Sequence, residues 1–494
     1  MNDSVAELEL KFRLDPSESD AIFDWLAQGG NPRVQTLNSI YFDTPARGLR
    51  KRGLVLRVRG DGRGWRQTIK SRTLVGGAFG RGEWECKVKS AAPDKAAAQS
   101  TPAGILLGPK AGLSPVFSVK VLRRSVLVNG PGGQVEASLD RGVVSRGERR
   151  DPFEELELEL KSGAPATLFA LARRLGETFD IALSFTTKAD RGFAMTIRRS
   201  TAARRISIPV IAPTMSVGDA FRAIARSCLE HLAGNAEAWR QAPGAEAVHQ
   251  MRVAVRRLRS ALRTFGPCLS GPEVGQIDAS LKDLAAALDT ARNLDVFLAG
   301  AWARAKRPST RLTARLRADR RAAYARAGLA IDSPVFRGLL LTMLVWIETG
   351  AWRAPDAARA ARRDAPIAPF AAKALAKGRR GLLHQGRGIG RLDRDARHAV
   401  RIKAKRLRYS ADVFEQIWAT PDTRVHRFLP ALKTLLDTLG ALNDIATGEA
   451  LVAAEPAILH AIIAERDREE TLLDEAQKAW RALKRAKPFW SEKT

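Results

Sequence analysis

The chain changes period once, and that change limits what it can fold into. Up to about residue 195, the segments "ELELKF", "LNSIYFD", "LVLRVRG", "WRQTIKS", "GEWECKVK", "SVLVN", "QVEASLD" and "EELELELK" alternate or are rich in β-formers, with Gly, Pro and Asp-Gly clusters between them. Beyond about residue 216, Ala, Leu and Arg recur at helical spacing to the C-terminus. Side chains that repeat every two residues and side chains that repeat every 3.6 build different layers. The expectation is therefore a multidomain chain: an N-terminal α+β unit at 1–197, a linker at 198–215, and a C-terminal all-α helical bundle at 216–494. Eight strands at hairpin-like spacing predict an eight-stranded antiparallel β-barrel with flanking helices. In the first such helix, "DPSESDAIFDWLAQGG", Asp15 is the expected N-cap, Pro16 the first helical residue and Ile22, Trp25 and Leu26 the apolar stripe, with Gly29 as the stop. The second is "PATLFALARRLGETF". The linker, "IRRSTAARRISIPVIAPTM" in its wider reading, is basic, holds two prolines and shows no helical period.

The strands carry charge in rows. Glu7, Glu9 and Lys11 share one face, as do Arg57 with Arg59, Glu83 with Glu85 and Lys87, and Glu136 with Asp140. Glu155, Glu157, Glu159 and Lys161 form the longest row, with leucines opposite. A single row of this kind is ordinarily a solvated face. Several in one small sheet repel one another, and Glu is a poor strand former. A barrel with leucines outside under helices and charges inside resolves the conflict. Gathered carboxylates would hold a hard divalent cation, Mg²⁺ or Mn²⁺, and the cations Lys11, Arg57, Arg59 and Lys70 would cradle phosphate.

Composition agrees with a polyanionic partner. Across 494 residues, 82 basic side chains face 53 acidic ones, a net charge of +29. Cys86, Cys228 and Cys268 match no metal or redox spacing. No signal peptide is visible, and the apolar run "LLLTMLVWI" is short for a membrane span, so a cytoplasmic protein without a membrane partner is expected.

"AELELKF" resembles the ExExK signature of the CYTH superfamily, the triphosphate tunnel metalloenzymes. "SIYFDTP", "LRKRGLVLRVR", "QTIKS", "RGEWECKV", "EASLDRG", "EELELELKSG" and "TTKADRG" follow in that family's order, over about residues 5–195. The resemblance implies a tunnel in which a triphosphate is hydrolysed with a metal. By that resemblance the metal ligands are Glu7, Glu9, Glu157 and Glu159, with Asp140 and Glu155 as further candidates. Lys11, Arg57, Arg59, Lys70, Lys87, Arg123 and Lys188 would hold the triphosphate. Strand parity alone leaves Arg123 and Arg124 open; the resemblance selects Arg123.

In the helical half, "HQMRVAVRRLRSALRTF" (249–265) and "HAVRIKAKRLRYSADVF" (398–414) share one pattern at a constant offset, which marks an internal duplication. Met251, Val255, Leu258, Leu262 and Phe265 form an apolar stripe, opposite His249, Arg252, Arg256, Arg259 and Arg263. The second copy sets Val400, Ala404, Leu407, Ala411 and Phe414 against His398, Arg401, Lys405 and Arg408. Residues 249–263 contain five arginines and no acid, and no nearby sequence offsets their repulsion. Two such faces predict a shared polyanion site.

This half, about 216–490, resembles the CHAD domain, and the whole chain resembles bacterial CYTH-CHAD inorganic triphosphatases. The resemblance implies polyphosphate binding by His249, Arg252, Arg256, Arg259, His398, Arg401, Lys405, Arg406 and Arg408, with Arg257, Arg292 and Lys403 as weaker matches; association with polyphosphate granules is the expected location. Aromatics are only 6%, and the basic helices lack stacking platforms, which argues against nucleic acid. The expected activity is hydrolysis of inorganic triphosphate to pyrophosphate and phosphate. The alternatives are a polyphosphate-binding scaffold without turnover, or a triphosphatase acting on thiamine or nucleoside triphosphates.

Overall fold

A computed structural model describes residues 8–74, 81–104, 107, 112–196, 203–304, 310–354, 357–418, 423–452 and 456–490. The chain divides into two compact units, Met1–Ala202 with Arg337–Val345 and Ala203–Phe336 with Trp346–Thr494.

The first unit is built on one antiparallel sheet. Its strands are β1 (Glu9–Arg13), β2 (Arg33–Asp43), β3 (Leu54–Gly60), β4 (Trp65–Leu74), β5 (Arg81–Val88), β6 (Ser114–Gly130), β7 (Gly133–Arg146), β8 (Arg149–Gly163) and β9 (Ala182–Ser184). They lie in the order β5-β4-β3-β2-β6-β7-β8-β1-β9. The sheet thus has nine strands where eight were expected, and among the described residues its hydrogen bonds do not close it into a barrel. The ninth strand has three residues, too few for an alternation to show in sequence. Among the described residues it pairs with β1 alone, Lys11 opposite Ser184 and Arg13 opposite Ala182.

The sheet has an apolar face covered by helices and a charged face. The apolar face carries Leu10, Phe12, Ala137, Leu139, Leu156 and Leu158, all buried. Helix α1 (Ser19–Leu26) lies on that face: Arg124, of apolar-face parity, pairs with Asp20 at 2.7 Å and lies over the Phe23 ring. The helix starts later than expected. Asp15 accepts from the amide and hydroxyl of Ser17 instead of capping it, and Ile22, Phe23 and Leu26 are its buried apolar residues. The short helices α2 (Gly48–Lys51) and α3 (Lys95–Gln99) cover Leu54, Leu56, Val58 and Ile69 on the same face. Helix α4 (Pro165–Thr178) packs against β7 and β8. The other face carries the charges at one part and an apolar cluster at another. There Phe193 of α5 (Lys188–Ala194) meets Phe117 edge-on, and Phe117 stacks on Tyr41.

The second unit is helical. Its first helices are α6 (Val217–Gln241), α7 (Ala245–Thr264) and α8 (Glu273–Ala299). The second copy of the repeated motif is the helix Arg394–Phe414, followed by Thr423–Val452. The predicted stripes are the buried ones: Met251, Val255, Leu258, Leu262 and Phe265, then Val400, Ala404, Leu407, Ala411 and Phe414. Phe265 and Phe414, equivalent in the two copies, meet with ring centroids 6.0 Å apart. Part of the expected linker is folded here. The Arg204 amide donates to Asn235 Oδ1 and its carbonyl accepts from Asn235 Nδ2, both at 2.9 Å, and Ile211 is buried. The apolar run "LLLTMLVWI" lies within Pro334–Arg353, the one described helical stretch long and apolar enough by length and composition to cross a membrane; 44% of that window is buried.

Candidate functional site

Strand pairing brings the predicted charges together. Residues directly opposite in a ladder point to the same face. Lys11 lies opposite Glu157 and Glu9 opposite Glu159. Asp140 lies opposite both Glu155 and Arg123. Side chains from β1, β6, β7 and β8 thus converge, and α5 adds Lys188 at its first turn.

The result is an interlocked ion cluster. Asp140, Glu155 and Glu157 are buried, with oxygens within 4.8 Å of one another. Lys188 Nζ donates to Asp140 Oδ2 at 2.7 Å, to Glu157 Oε1 at 2.8 Å and to Glu155. Arg123 grips Asp140 as a fork, Nε to Oδ1 at 2.6 Å and Nη2 to Oδ2 at 2.7 Å, and also reaches Glu157. Lys11 donates to Glu157 and lies 3.0 Å from Glu9. Arg124 points to the opposite face, which settles the parity question in favour of Arg123. Burial opposes the charge on Glu157, but Lys11, Lys188 and Arg123 outweigh it and hold its carboxyl well below the usual range. Asp140 is likewise held down against burial, chiefly by Lys188. The reverse pull raises Lys188 and Lys11 well above the ordinary lysine value, again against burial.

The oxygen-only, anionic donor set suits a hard divalent cation. Asp140, Glu155 and Glu157 offer such a set, with Glu9 and Glu159 one ladder step away. Glu159 is 2.6 Å from Lys161, which also meets Glu136.

The remaining predicted cations line the other side of the same face. Arg59 donates to Ser39 Oγ at 3.3 Å; burial, then the charges of Arg57 and Arg123, push its guanidinium down to about 10. Arg57 donates to Thr68 Oγ1 at 3.1 Å. A cavity of about 590 Å³ opens there, lined by Gln35, Arg59, Arg66, Thr68, Lys87 and Arg123 among others. Lys87 is exposed at this opening, opposite Arg66. Lys70 stands apart and pairs with Glu83 at 2.6 Å. Glu7 lies outside the described residues.

In the helical unit the two basic ridges face one another. Burial, then Arg401, Arg256 and Arg252, push the Lys405 ammonium down to about 7, with Asp444 opposing. Burial lowers Arg252 to about 10, with Asp289 opposing and Arg256, Arg292 and Arg401 adding to the fall. Burial, then Arg292, lowers His249 to about 4. Arg256 donates to Tyr409 Oη at 3.1 Å, and His398 Nδ1 lies 2.8 Å from Asn443 Oδ1. Arg406 is exposed.

The expectation that this charge goes without offset is corrected at several positions. Arg259 forks onto Asp278 at 2.7 and 3.1 Å, and Arg252 meets Asp289 at 2.6 Å. Arg408 and Arg257 share Asp412, at 2.6 and 3.5 Å. These acids sit on α8 or on the partner ridge, where a reading of 249–263 alone does not find them. Sequence reasoning also missed Arg66, Ser39 and Thr68 on the charged face, and Asp190, which caps α5. For Asp190 a signal existed: Thr187 followed three residues later by an acid is a capping box.

Two family models match this chain, the CYTH domain over residues 6–193 and the CHAD domain over 223–453. An inorganic triphosphatase of Haemophilus influenzae is 29% identical over 198 residues, 39% of this chain. That match spans 56% of the Haemophilus protein's length. An uncharacterized Mycobacterium tuberculosis protein is 25% identical over 496 residues, covering 94% of this chain and 90% of its own. Among solved structures, the CHAD domain of the plant Ricinus communis aligns with a TM-score of 0.49 at 26% identity, over 58% of this chain and 98% of its own. A Hippeastrum protein, described as revealing a dominant triphosphatase activity, aligns with a TM-score of 0.29 at 16% identity, over 39% of this chain and 98% of its own.

Proposed function

With a CYTH domain followed by a CHAD domain as the premise, we propose that this protein hydrolyses inorganic triphosphate, with Mg²⁺ or Mn²⁺, on the charged face of its sheet, and binds polyphosphate through its helical unit. The observation that carries the first half is the buried meeting of Asp140, Glu155 and Glu157 with Lys11, Arg123 and Lys188, beside a cavity lined by further cations.

The carboxylates Glu9, Asp140, Glu155, Glu157 and Glu159 would hold the metal. When bound, it supplies a Lewis acid for the phosphoryl oxygens and a water of lowered pKa. The protein's own contribution is charge placed in advance. Lys11, Arg123, Lys188 and Arg59 stand where a chain of phosphates brings negative charge, and burial strengthens each contact. Arg57, Arg66 and Lys87 extend that positive lining toward the opening.

The second half rests on Arg252, Arg256, Arg401 and Lys405. Burial first, then the neighbouring cations, lower Arg252, Arg401 and Lys405 across two helices, so a bound polyanion would relieve their repulsion.

The test is phosphate release from tripolyphosphate by the full chain with each divalent cation, beside thiamine and nucleoside triphosphates. Turnover that chelation stops and Glu157→Gln reduces by at least about 100-fold supports the enzyme. No turnover with any divalent cation overturns it and leaves the scaffold reading.

A further inference from the structure

Lys188 reaches three carboxylates from the first turn of α5, a helix of seven residues. A helix that short is not stable by itself, so the aim of Lys188 depends on what fixes α5. Its own capping box contributes. Asp190 Oδ2 accepts from the Thr187 amide at 3.2 Å and from the Thr187 hydroxyl at 2.8 Å, while the Asp190 amide donates back to Thr187 Oγ1 at 3.0 Å. The other oxygen is used differently: Asp190 Oδ1 accepts from Arg50 Nη2 at 2.9 Å. The same guanidinium lies 4.8 Å from the centre of the Phe193 ring, at the far end of α5. Arg50 thus grips α5 at both ends.

Arg50 is itself held in place. It belongs to α2, and Asp43 accepts from the Leu49 amide at 3.0 Å and from the Arg50 amide at 3.1 Å. Asp43 is fully buried at the end of β2. A continuous set of contacts therefore runs from the sheet through Asp43, Arg50 and Asp190 to the turn that carries Lys188.

We propose that Arg50 and Asp190 are a positioning pair that fixes α5 so that the Lys188 ammonium stays aimed into the cluster of Asp140, Glu155 and Glu157. The pair acts on substrate only through Lys188. The proposal rests on the reading of the charged face as the triphosphate site.

The experiment compares the full-length wild type with Arg50→Met, Arg50→Lys, Lys188→Arg and the double variant Arg50→Met/Lys188→Arg. It measures kcat and KM for tripolyphosphate, together with Tm. The expected result is an approximately tenfold fall in kcat/KM for Arg50→Met, at least half restored in Arg50→Lys, and less than about twofold further loss when Arg50→Met is added to Lys188→Arg. A structural role alone predicts the same loss in both backgrounds. That outcome, or a kcat/KM for Arg50→Met within about twofold of wild type, overturns the proposal while the enzyme reading stands. If wild type shows no turnover, the enzyme reading itself has failed. The same proteins are then compared for tripolyphosphate affinity by calorimetry, with the same two patterns deciding for or against the pair.

Discussion

At the scale of single residues, the strongest dependence is on Lys188. It is the shared partner of three buried carboxylates. Removing one member of a buried ion cluster leaves the others desolvated and unpaired, so Lys188→Met is expected to cost about 3–5 kcal/mol in urea unfolding. Raising the acidity of the buffer should recover part of that loss, because the stranded carboxyls can then take up protons. Lys405 gives the opposite kind of prediction. Its folded value near 7 lies below the 10.5 of an ordinary lysine. Between those values the unfolded chain binds the extra proton, so this group's contribution to stability increases as pH rises through that window. A bound polyanion favours the ammonium. Polyphosphate binding near pH 8 should therefore take up protons, seen as a buffer-dependent calorimetric enthalpy, and its affinity should fall as pH rises above 7. Lys405→Met should abolish the proton uptake. A buffer-independent enthalpy in the wild type would contradict this account of Lys405.

At the scale of elements, α5 fits the sheet through a glycine. A Cβ added at Gly192 would lie 2.1 Å from the Phe117 ring. Gly192→Ala is expected to lift the helix, at about 1–3 kcal/mol in stability, and to lower turnover with it. The basic ridges make a paired prediction. Arg401→Ala should weaken polyphosphate binding about tenfold, while Arg259→Ala, whose guanidinium is occupied by Asp278, should change affinity by less than about threefold. Titration at fixed salt decides between equal and unequal effects. These elements also show what the sequence could and could not reveal. The charge rows of β1 and β8 and the stripes through Met251 and Val400 were legible, since period and burial coincide there. The closing segment "TTKADRG" opens a helix, Lys188–Ala194, and a three-residue strand, Ala182–Ser184, precedes it. Each is too short for its period to stand out in sequence. Asp278 and Asp289 were hidden for another reason: their pairing with α7 is a property of how helices pack, which a single helix's periodicity does not encode.

At the scale of the molecule, the two proposed activities draw on separate residues and should be separable. Glu157→Gln should cut phosphate release by at least about 100-fold with polyphosphate affinity unchanged, and Arg401→Ala should weaken polyphosphate binding about tenfold with phosphate release unchanged. Loss of both in either variant would mean that the activities share residues or that the variant is misfolded, which circular dichroism distinguishes. The net charge of +29 predicts that polyphosphate affinity falls steeply with salt; duplex DNA of equal charge binding equally well at matched salt would remove the case for selectivity. The proposed turnover would have to work with the pairing already present on the charged face. Lys11, Arg123 and Lys188 are already tied to carboxylates of their own wall. An incoming anion must therefore exchange with internal counter-ions, and it succeeds only if several linked charges arrive together. Orthophosphate, carrying fewer charges, competes poorly with the protein's own carboxylates. On the proposed reading these ion pairs would re-form behind a leaving product, so the cluster would favour release as well as capture.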